Sequence, residues 1–114
     1  MDPILIVKWK WLKRILAGSK THEIRCRPCP AYKGKRLWLA ASGTSRVFGS
    51  ARVQDSIGPL SEVEWHTSRP FHCVEGPRLY KRTYAWVLEN VTRCTPKRIT
   101  RKPGAIGVQL GPGP

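Results

Sequence analysis

The stretch from Trp11 to Arg25 constrains the fold of this chain more than any other, because an amphipathic helix and a polar extended segment meet in it. Apolar residues recur there at helical spacing, with basic residues on the opposite face. The apolar set is Trp11, Leu12, Ile15 and Leu16, and the basic set is Lys10, Lys13 and Arg14. Gly18 stands where a helix C-cap needs a left-handed residue. The sequence therefore predicts a helix over about residues 9–17 that ends at Gly18.

Four side chains able to bind a polar ligand follow this helix within six positions: Lys20, Thr21, Glu23 and Arg25. In an extended segment over residues 21–27, alternate side chains share a face. A strand that buries Ile24 therefore turns the hydroxyl, the carboxylate and the guanidinium to one side. This pattern predicts a polar site rather than a core, with Lys20 and Glu23 as acid/base groups if the site is catalytic.

The rest of the chain is typical of short strands separated by turn residues. Apolar and β-branched runs predict further strands over residues 4–7, 36–41, 46–53, 84–91 and 105–110. A weaker helix is expected within residues 57–68, where Ser61 precedes two glutamates. Residues 71–76 are expected to form a loop, and residues 111–114 a frayed tail.

Five or six short strands with one or two flanking helices favour a small closed or partly closed β-barrel. Gly43 suits a tight turn, and Gly49 suits a bulge or a barrel corner. We therefore predict a mainly β fold with α (α+β), in a single domain over residues 1–114 with its core at about residues 3–110.

The net charge of +14 is high for a chain of 114 residues, and it is unevenly distributed. Residues 1–36 carry ten Lys and Arg against two acids, residues 77–114 carry eight against one, and residues 37–76 are close to neutral. If the two ends meet in space, they form one basic surface of the kind that attracts a polyanion. Nucleic acid is the expected partner, with an anionic membrane surface as the second choice.

The basic segment near the C-terminal end is expected to contact phosphates beside the polar site. Its members are Arg93, Lys97, Arg98, Arg101 and Lys102. Prolines at 96 and 103 keep this segment extended, which suits contact with a phosphate backbone. Lys33 and Lys35 extend the basic set. Trp9, between two lysines, is a better candidate for stacking on a base than Trp11, which helical spacing assigns to the core.

The four cysteines bear on the compartment and on metal binding. No apolar run approaches the ~20 residues of a membrane span, and no cleavage pattern follows the N-terminal apolar segment. We expect an intracellular protein, cytoplasmic or nuclear and not secreted, with thiols rather than disulfides. A weak alternative assembles a zinc site from Cys26, Cys29, Cys73 and Cys94. A single C-x-x-C is poor support for it, so we expect no metal and no cofactor.

Four stretches together resemble the ASCH domain over roughly residues 3–110. They are I-L-I-V-K at 4–8, W-L-x-x-I-L-x-G-x-K-T-x-E-I-R at 11–25, K-G-K-R-L-W-L-A-A-S at 33–42 and Y-A-W-V-L-E-N-V at 84–91. The resemblance implies a PUA-like β-barrel with a pocket in its wall and with Gly18, Lys20, Thr21, Glu23 and Arg25 at the rim. It also implies binding of RNA or a nucleotide, to which Ser42, at a small polar position of the family, would contribute a hydrogen bond.

Some members of that family hydrolyse RNA or acetylated cytidine. In the amidohydrolase branch the lysine matches Lys20, but the nucleophilic threonine falls at Glu23 rather than at Thr21. A carboxylate is a poor substitute for an activated hydroxyl in amide cleavage, which argues against that activity in this chain.

The leading hypothesis is therefore an RNA-binding module. A basic surface holds phosphates, and a pocket at Lys20, Glu23 and Arg25 receives a base or a modified nucleotide. The expected partner is RNA, single-stranded or structured, bound by a monomer that does not contact a membrane. Two alternatives stay open, namely a hydrolase acting on RNA or a modified nucleoside, and a structural subunit of a larger ribonucleoprotein.

Overall fold

In the part of the chain that the structure describes, six strands form one curled sheet flanked by three short helices. The computed structural model describes residues 3–99 and the backbone of residues 109–110. The strands are β1 (Ile4–Val7), β2 (His22–Arg25), β3 (Arg36–Ala41), β4 (Arg46–Ile57), β5 (Tyr84–Arg98) and β6 (Gln109–Leu110). The helices are α1 (Trp9–Ala17), α2 (Glu62–Thr67) and α3 (Arg69–His72), with one 3-10 turn at Pro30–Tyr32.

The sheet has the order β2-β5-β4-β3-β1-β6 and curls into a half-barrel. β1 pairs in parallel with β3 and β6, and the remaining neighbours are antiparallel. This architecture confirms the predicted α+β class with a PUA-like barrel.

Helix α1 has the bounds that its apolar periodicity predicts. It ends at Gly18, which adopts a φ of 85° and donates its N–H to the Ile15 carbonyl at 3.1 Å. Trp11, Leu12 and Ile15 are buried and join the main core on the inner face of the sheet. α1 therefore lies across the inside of the half-barrel, with its basic face turned outward.

Strands β1 and β3 also have the predicted bounds. Their apolar side chains contribute to the same core. The fully buried members from these strands and β4 are Leu5, Val7, Leu37, Leu39, Ala51 and Val53. A smaller apolar cluster on the outer face joins Ile4, Ala40 and Val47. β2 is shorter than the predicted strand over residues 21–27.

Strands β4 and β5 form an antiparallel ribbon that is longer than either predicted strand. β4 continues to Ile57 rather than ending at residue 53, and β5 continues to Arg98 rather than ending at residue 91. The polar composition of these ends concealed the strands, but each backbone finds its hydrogen-bond partner on the other strand. Pro96 is tolerated because it falls where the register of the ribbon shifts, as in a bulge.

The weaker helix expected within residues 57–68 is α2. Ser61 and Glu64 form a capping box at its start, since the Ser61 hydroxyl accepts the Glu64 N–H and the Glu64 carboxylate accepts the Ser61 N–H. The predicted loop over residues 71–76 is wrong at its start, because α3 extends to His72. Pro70 near the first position of α3 favours this turn of helix.

The predicted strand over residues 105–110 is described only at its end, where residues 109–110 pair with β1. The rest of that strand and the tail at 111–114 lie outside the described residues. No helix in the described ranges is long and apolar enough to cross a membrane.

Candidate nucleic-acid interface

Strand β2 carries a buried ion pair where the sequence predicts a polar site. Glu23 is fully buried and Arg25 is 9% exposed. The Nε and Nη2 atoms of Arg25 donate to Oε2 of Glu23 at 3.1 and 2.8 Å. The two side chains share one face of β2, as alternation predicts, while Ile24 on the other face is also fully buried. The polar face of β2 is thus turned into the protein.

Arg25 also links β2 to β1, which is not its neighbour in the sheet order. Its Nη2 donates to the Ile6 carbonyl at 2.7 Å. On the other edge of β1, the Val7 carbonyl accepts the Ser42 N–H at 2.9 Å. Because alternate residues of a strand direct their backbone groups to opposite edges, the Ile6 carbonyl faces away from β3. The guanidinium therefore bridges the two strands with a side-chain hydrogen bond.

Lys20 lies against the same cluster just beyond the C-cap of α1, with only 1% of its surface exposed. Its ammonium donates to the His72 carbonyl, lies 3.9 Å from Oε1 of Glu23 and lies 4.8 Å from the centre of the Trp11 indole. Burial lowers the pKa of Lys20 to about 8, although the charge of Glu23 opposes this shift. Oε1 of Glu23 has no hydrogen-bond partner among the described residues.

Helix α3 holds Lys20 and the start of β2 in place, and the sequence did not predict it. The Phe71 carbonyl accepts the Thr21 N–H at 2.9 Å. The His72 ring is fully buried and stacks on Trp65, with 3.9 Å between ring centres. Its Nδ1 accepts the Val74 N–H at 2.9 Å, and its Nε2 donates to the Trp65 carbonyl at 2.8 Å. These partners require a neutral ring, and burial accordingly lowers the pKa of His72.

A cleft of about 430 Å³ opens between α1 and the loop that follows α3. Its lining residues are Lys10, Trp11, Lys13, Arg14, Cys73, Val74, Glu75 and Leu79. Around the Trp11 indole, the Lys10 ammonium lies 4.5 Å and the Arg14 guanidinium 5.8 Å from the ring centre. Lys20 contacts this indole but does not line the cleft. The cations of the cleft come from the basic face of α1, which the helical periodicity already separates from the apolar stripe.

The structure brings three of the predicted site residues together and leaves the others elsewhere. Lys20, Glu23 and Arg25 form the buried cluster, while the Thr21 hydroxyl lies 3.0 Å from Nδ1 of His22. Ser42 is half-buried just after β3. Lys33 pairs with Asp55 at 3.4 Å, and Lys35 is exposed before β3. None of these side chains lines the cleft.

The predicted basic segment begins within the C-terminal part of β5. Arg93, Lys97 and Arg98 are exposed on this strand, opposite Gly49, Val47 and Arg46 of β4. Arg101 and Lys102 lie outside the described residues. No sequence pattern singles out Arg46, because strand patterning does not show that β4 runs beside the basic end of β5.

The alternative zinc site finds no support in the structure. Among the residues described, no group of three or more His, Cys, Asp and Glu is placed to hold a metal ion. Cys26, Cys29, Cys73 and Cys94 are all free, with Cys29 buried and Cys26 exposed. Burial raises the pKa of Cys29 to about 11, which makes it a poor metal ligand and nucleophile at neutral pH.

Comparisons with known proteins agree with this architecture. The family model described as the ASCH domain matches residues 5–98, which is most of the chain. A search of curated proteins gives no significant match.

Among solved structures, ASCH from Zymomonas mobilis is similar to this chain with a TM-score of 0.69 and 20% identity, over 82% of this chain and 71% of that chain. Two single-residue mutants of the same bacterial protein are also similar. One has a TM-score of 0.57 and 22% identity over 86% of this chain and 76% of that chain. The other has a TM-score of 0.56 and 24% identity over 83% of this chain and 72% of that chain. At these identities the likeness shows a shared fold.

Proposed function

The chain belongs to the ASCH domain family, which is generally thought to bind RNA, and we propose that it is an RNA-binding module that holds a nucleotide in the cleft beside α1. The observation that carries this proposal is the lining of the cleft. Lys10, Lys13 and Arg14 line it together with the Trp11 indole, and the single carboxylate in the lining, Glu75, is paired with Arg69 at 3.4 Å. A cleft of about 430 Å³ is large enough for a small ligand.

The charge balance of the described residues supports a polyanionic partner. Each carboxylate in residues 3–99 already has a partner within the protein. The ion pairs are Glu23 with Arg25, Asp55 with Lys33, Glu62 with Arg78, Glu75 with Arg69 and Glu89 with Arg52. Glu64 accepts the Ser61 N–H of the capping box. The cations of the cleft and of the end of β5 form no ion pair with these acids, so their charge is available for phosphates.

The buried cluster has a supporting role in this proposal. Lys20, Glu23 and Arg25 fix the end of α1 against β2, and Lys20 adds a positive charge behind the Trp11 indole. A phosphate or an electron-rich base in the cleft would be stabilised by that charge, because burial leaves little water to screen it. We propose that the protein acts in this way as a monomer inside the cell.

Binding of a fluorescent single-stranded RNA, followed by anisotropy, tests the proposal. We expect Lys13→Ala and Arg14→Ala each to weaken binding several-fold and to lower the slope of log affinity against log salt by about 0.7. Lys81→Ala removes an exposed lysine that does not line the cleft and serves as the matched control. Equal effects of all three variants, or no binding by the unmutated protein at low salt, would contradict the proposal.

A hydrolase acting on RNA or a modified nucleoside is the second candidate. The observation that favours it is the lowered pKa of Lys20, about 8, beside a carboxylate oxygen that lacks a hydrogen-bond partner in the described part of the chain. Such a lysine can exchange a proton near neutral pH. Lys20→Ala should then abolish turnover while the circular dichroism spectrum stays native. Absence of turnover on RNA and acetylcytidine by the unmutated protein would rule out the hydrolase and leave RNA binding as the proposed function.

A further inference from the structure

An exposed aromatic pair lies outside the cleft, where α1 meets β4. Trp9 is the first residue of α1 and is 49% exposed. Its ring lies 5.3 Å from that of Phe48, at an angle of 51°. Phe48 is itself packed against the main core. The indole is therefore held by a fixed neighbour while half of its surface stays open to solvent.

The end of the β4–β5 ribbon next to Phe48 carries two arginines. Arg46 lies two residues before Phe48 on β4, and Arg98 is its direct partner on β5. Side chains of directly opposite residues project from the same face, and like charges in such a pair are destabilising. Neither arginine forms an ion pair with a carboxylate of residues 3–99. An anion bound between them would remove the repulsion.

The ribbon is irregular at Phe48. Between the pairs Val47–Lys97 and Gly49–Arg93, one residue of β4 stands opposite three of β5, at residues 94–96. That one residue is Phe48. The bulge leaves Phe48 without a direct cross-strand partner.

The other exposed apolar side chains have a different setting. Val63, Phe71 and Leu79 lie on or near the short helices, and Ile57 is the last residue of β4, at the opposite end of that strand from Arg46. Phe71 has a similar exposure of 51% and stacks on His22, with 5.2 Å between ring centres. Phe71 lies on a helix and has no cross-strand pair of arginines like Arg46 and Arg98 beside it. It therefore lacks the combination of an open ring face and cations free of ion pairs that nucleic-acid binding uses.

We propose that Trp9 and Phe48 form a stacking platform for an unpaired base, with Arg46 and Arg98 holding phosphates of the same strand. This inference rests on the proposed function and names its substrate class as single-stranded RNA, because bases inside a duplex do not present a free face. The platform is a second subsite, separate from the cleft lined by α1 and the loop after α3.

Three ligands and four variants test the platform by anisotropy. The ligands are a single-stranded RNA, the same strand with abasic positions and the corresponding duplex. We expect Trp9→Ala to weaken binding of the intact strand about five- to a hundredfold, which is the range for loss of one stacked base. Trp9→Phe keeps an aromatic face and should retain most of the affinity. Phe48→Ala should follow Trp9→Ala, and Phe71→Ala is the matched control with unchanged binding.

The outcomes separate this inference from the function on which it rests. Trp9→Ala should leave the salt slope unchanged, because it removes no phosphate contact. The abasic strand should bind the unmutated protein as weakly as the intact strand binds Trp9→Ala. Salt-dependent binding that is equal for intact, abasic and duplex ligands would overturn the proposed stacking platform but would still support RNA binding. No binding of any ligand at low salt would overturn both.

Discussion

Lys20 shows how a single buried charge is accommodated in this protein. Desolvation disfavours its ammonium, while the His72 carbonyl, the Glu23 carboxylate and the Trp11 indole stabilise it. The lowered pKa, about 8, shows that desolvation outweighs these partners. The buried charge is therefore a cost to stability as long as Lys20 is protonated.

The pH dependence of folding tests this account. The folded pKa of about 8 lies below the ordinary value of 10.5, so the unfolded chain binds more protons between these two pH values. Below pH 8 the residue is charged in both states and contributes no pH dependence. From pH 8 to pH 10.5 the contribution of Lys20 to the free energy of unfolding should rise, by roughly 3 kcal/mol. Urea unfolding of the protein and of Lys20→Met should show that the variant lacks this rise.

Lys35→Met, at an exposed lysine, is the control for that experiment. Its pH dependence should match that of the unmutated protein. An identical rise in all three proteins would mean that Lys20 does not carry it.

The residues of the buried cluster could be selected from sequence, but their burial could not. Alternation along β2 predicts that Glu23 and Arg25 share a face. The His72 carbonyl accepts the hydrogen bond of the Lys20 ammonium, and it lies 52 residues away in the chain. A backbone carbonyl leaves no signature in side-chain patterning, so only the fold reveals that α3 covers this face. The same holds for the Ile6 carbonyl, which accepts a hydrogen bond from the Arg25 guanidinium.

At the scale of elements, Gly49 allows α1, β4 and β5 to approach one another. A Cβ at this position would lie 2.4 Å from the Thr92 carbonyl oxygen and 3.0 Å from Cδ2 of Leu16. The sequence predicts a bulge or corner here, and the register of the β4–β5 ribbon does shift at this residue. The contact with Leu16 on α1 is an additional constraint that strand patterning does not contain.

Gly49→Ala should therefore destabilise the protein substantially, by about 1–3 kcal/mol or more from overpacking, because a backbone oxygen must move. Gly18→Ala is the matched control. Gly18 has a positive φ of 85° but no atom within 4 Å of the added Cβ, so the variant should lose only about 1–2 kcal/mol, the cost of a non-glycine residue in the left-handed conformation. Thermal unfolding followed by circular dichroism measures both. A larger loss for Gly18→Ala would contradict the close packing at Gly49.

The sequence misplaces the ends of those elements whose last residues depend on hydrogen-bond partners in another element. β1, α1 and β3 are defined by their own apolar periodicity, and their bounds were predicted. The polar end of β5 is a strand because β4 satisfies its backbone, which no property of residues 92–98 indicates. α3 is a single turn, too short for a helical period to be recognised.

At the scale of the whole molecule, the contacts explain how the two basic parts of the sequence come near each other. The ring of Trp9 on α1 contacts Phe48 on β4, and Gly49 next to it pairs with Arg93 on β5. The barrel class could be predicted from short strands and glycine corners, together with the family resemblance. The strand order and the parallel pairing of β1 with β3 could not, because period-2 alternation is the same in parallel and antiparallel partners.

This juxtaposition leads to a quantitative prediction for RNA binding. If the three cations of the cleft and Arg46, Arg93 and Arg98 of the ribbon each neutralise a phosphate, log affinity should fall with log salt with a slope of about −4. Raising the salt fourfold should then weaken binding by more than about a hundredfold. The double variant Arg46→Ala/Arg98→Ala should reduce the slope by about 1.4, since each lost phosphate contact removes about 0.7 for a single strand. Anisotropy titrations over a salt series measure both slopes. A flat dependence in the unmutated protein, or an unchanged slope in the double variant, would show that the ribbon does not contact the phosphate backbone.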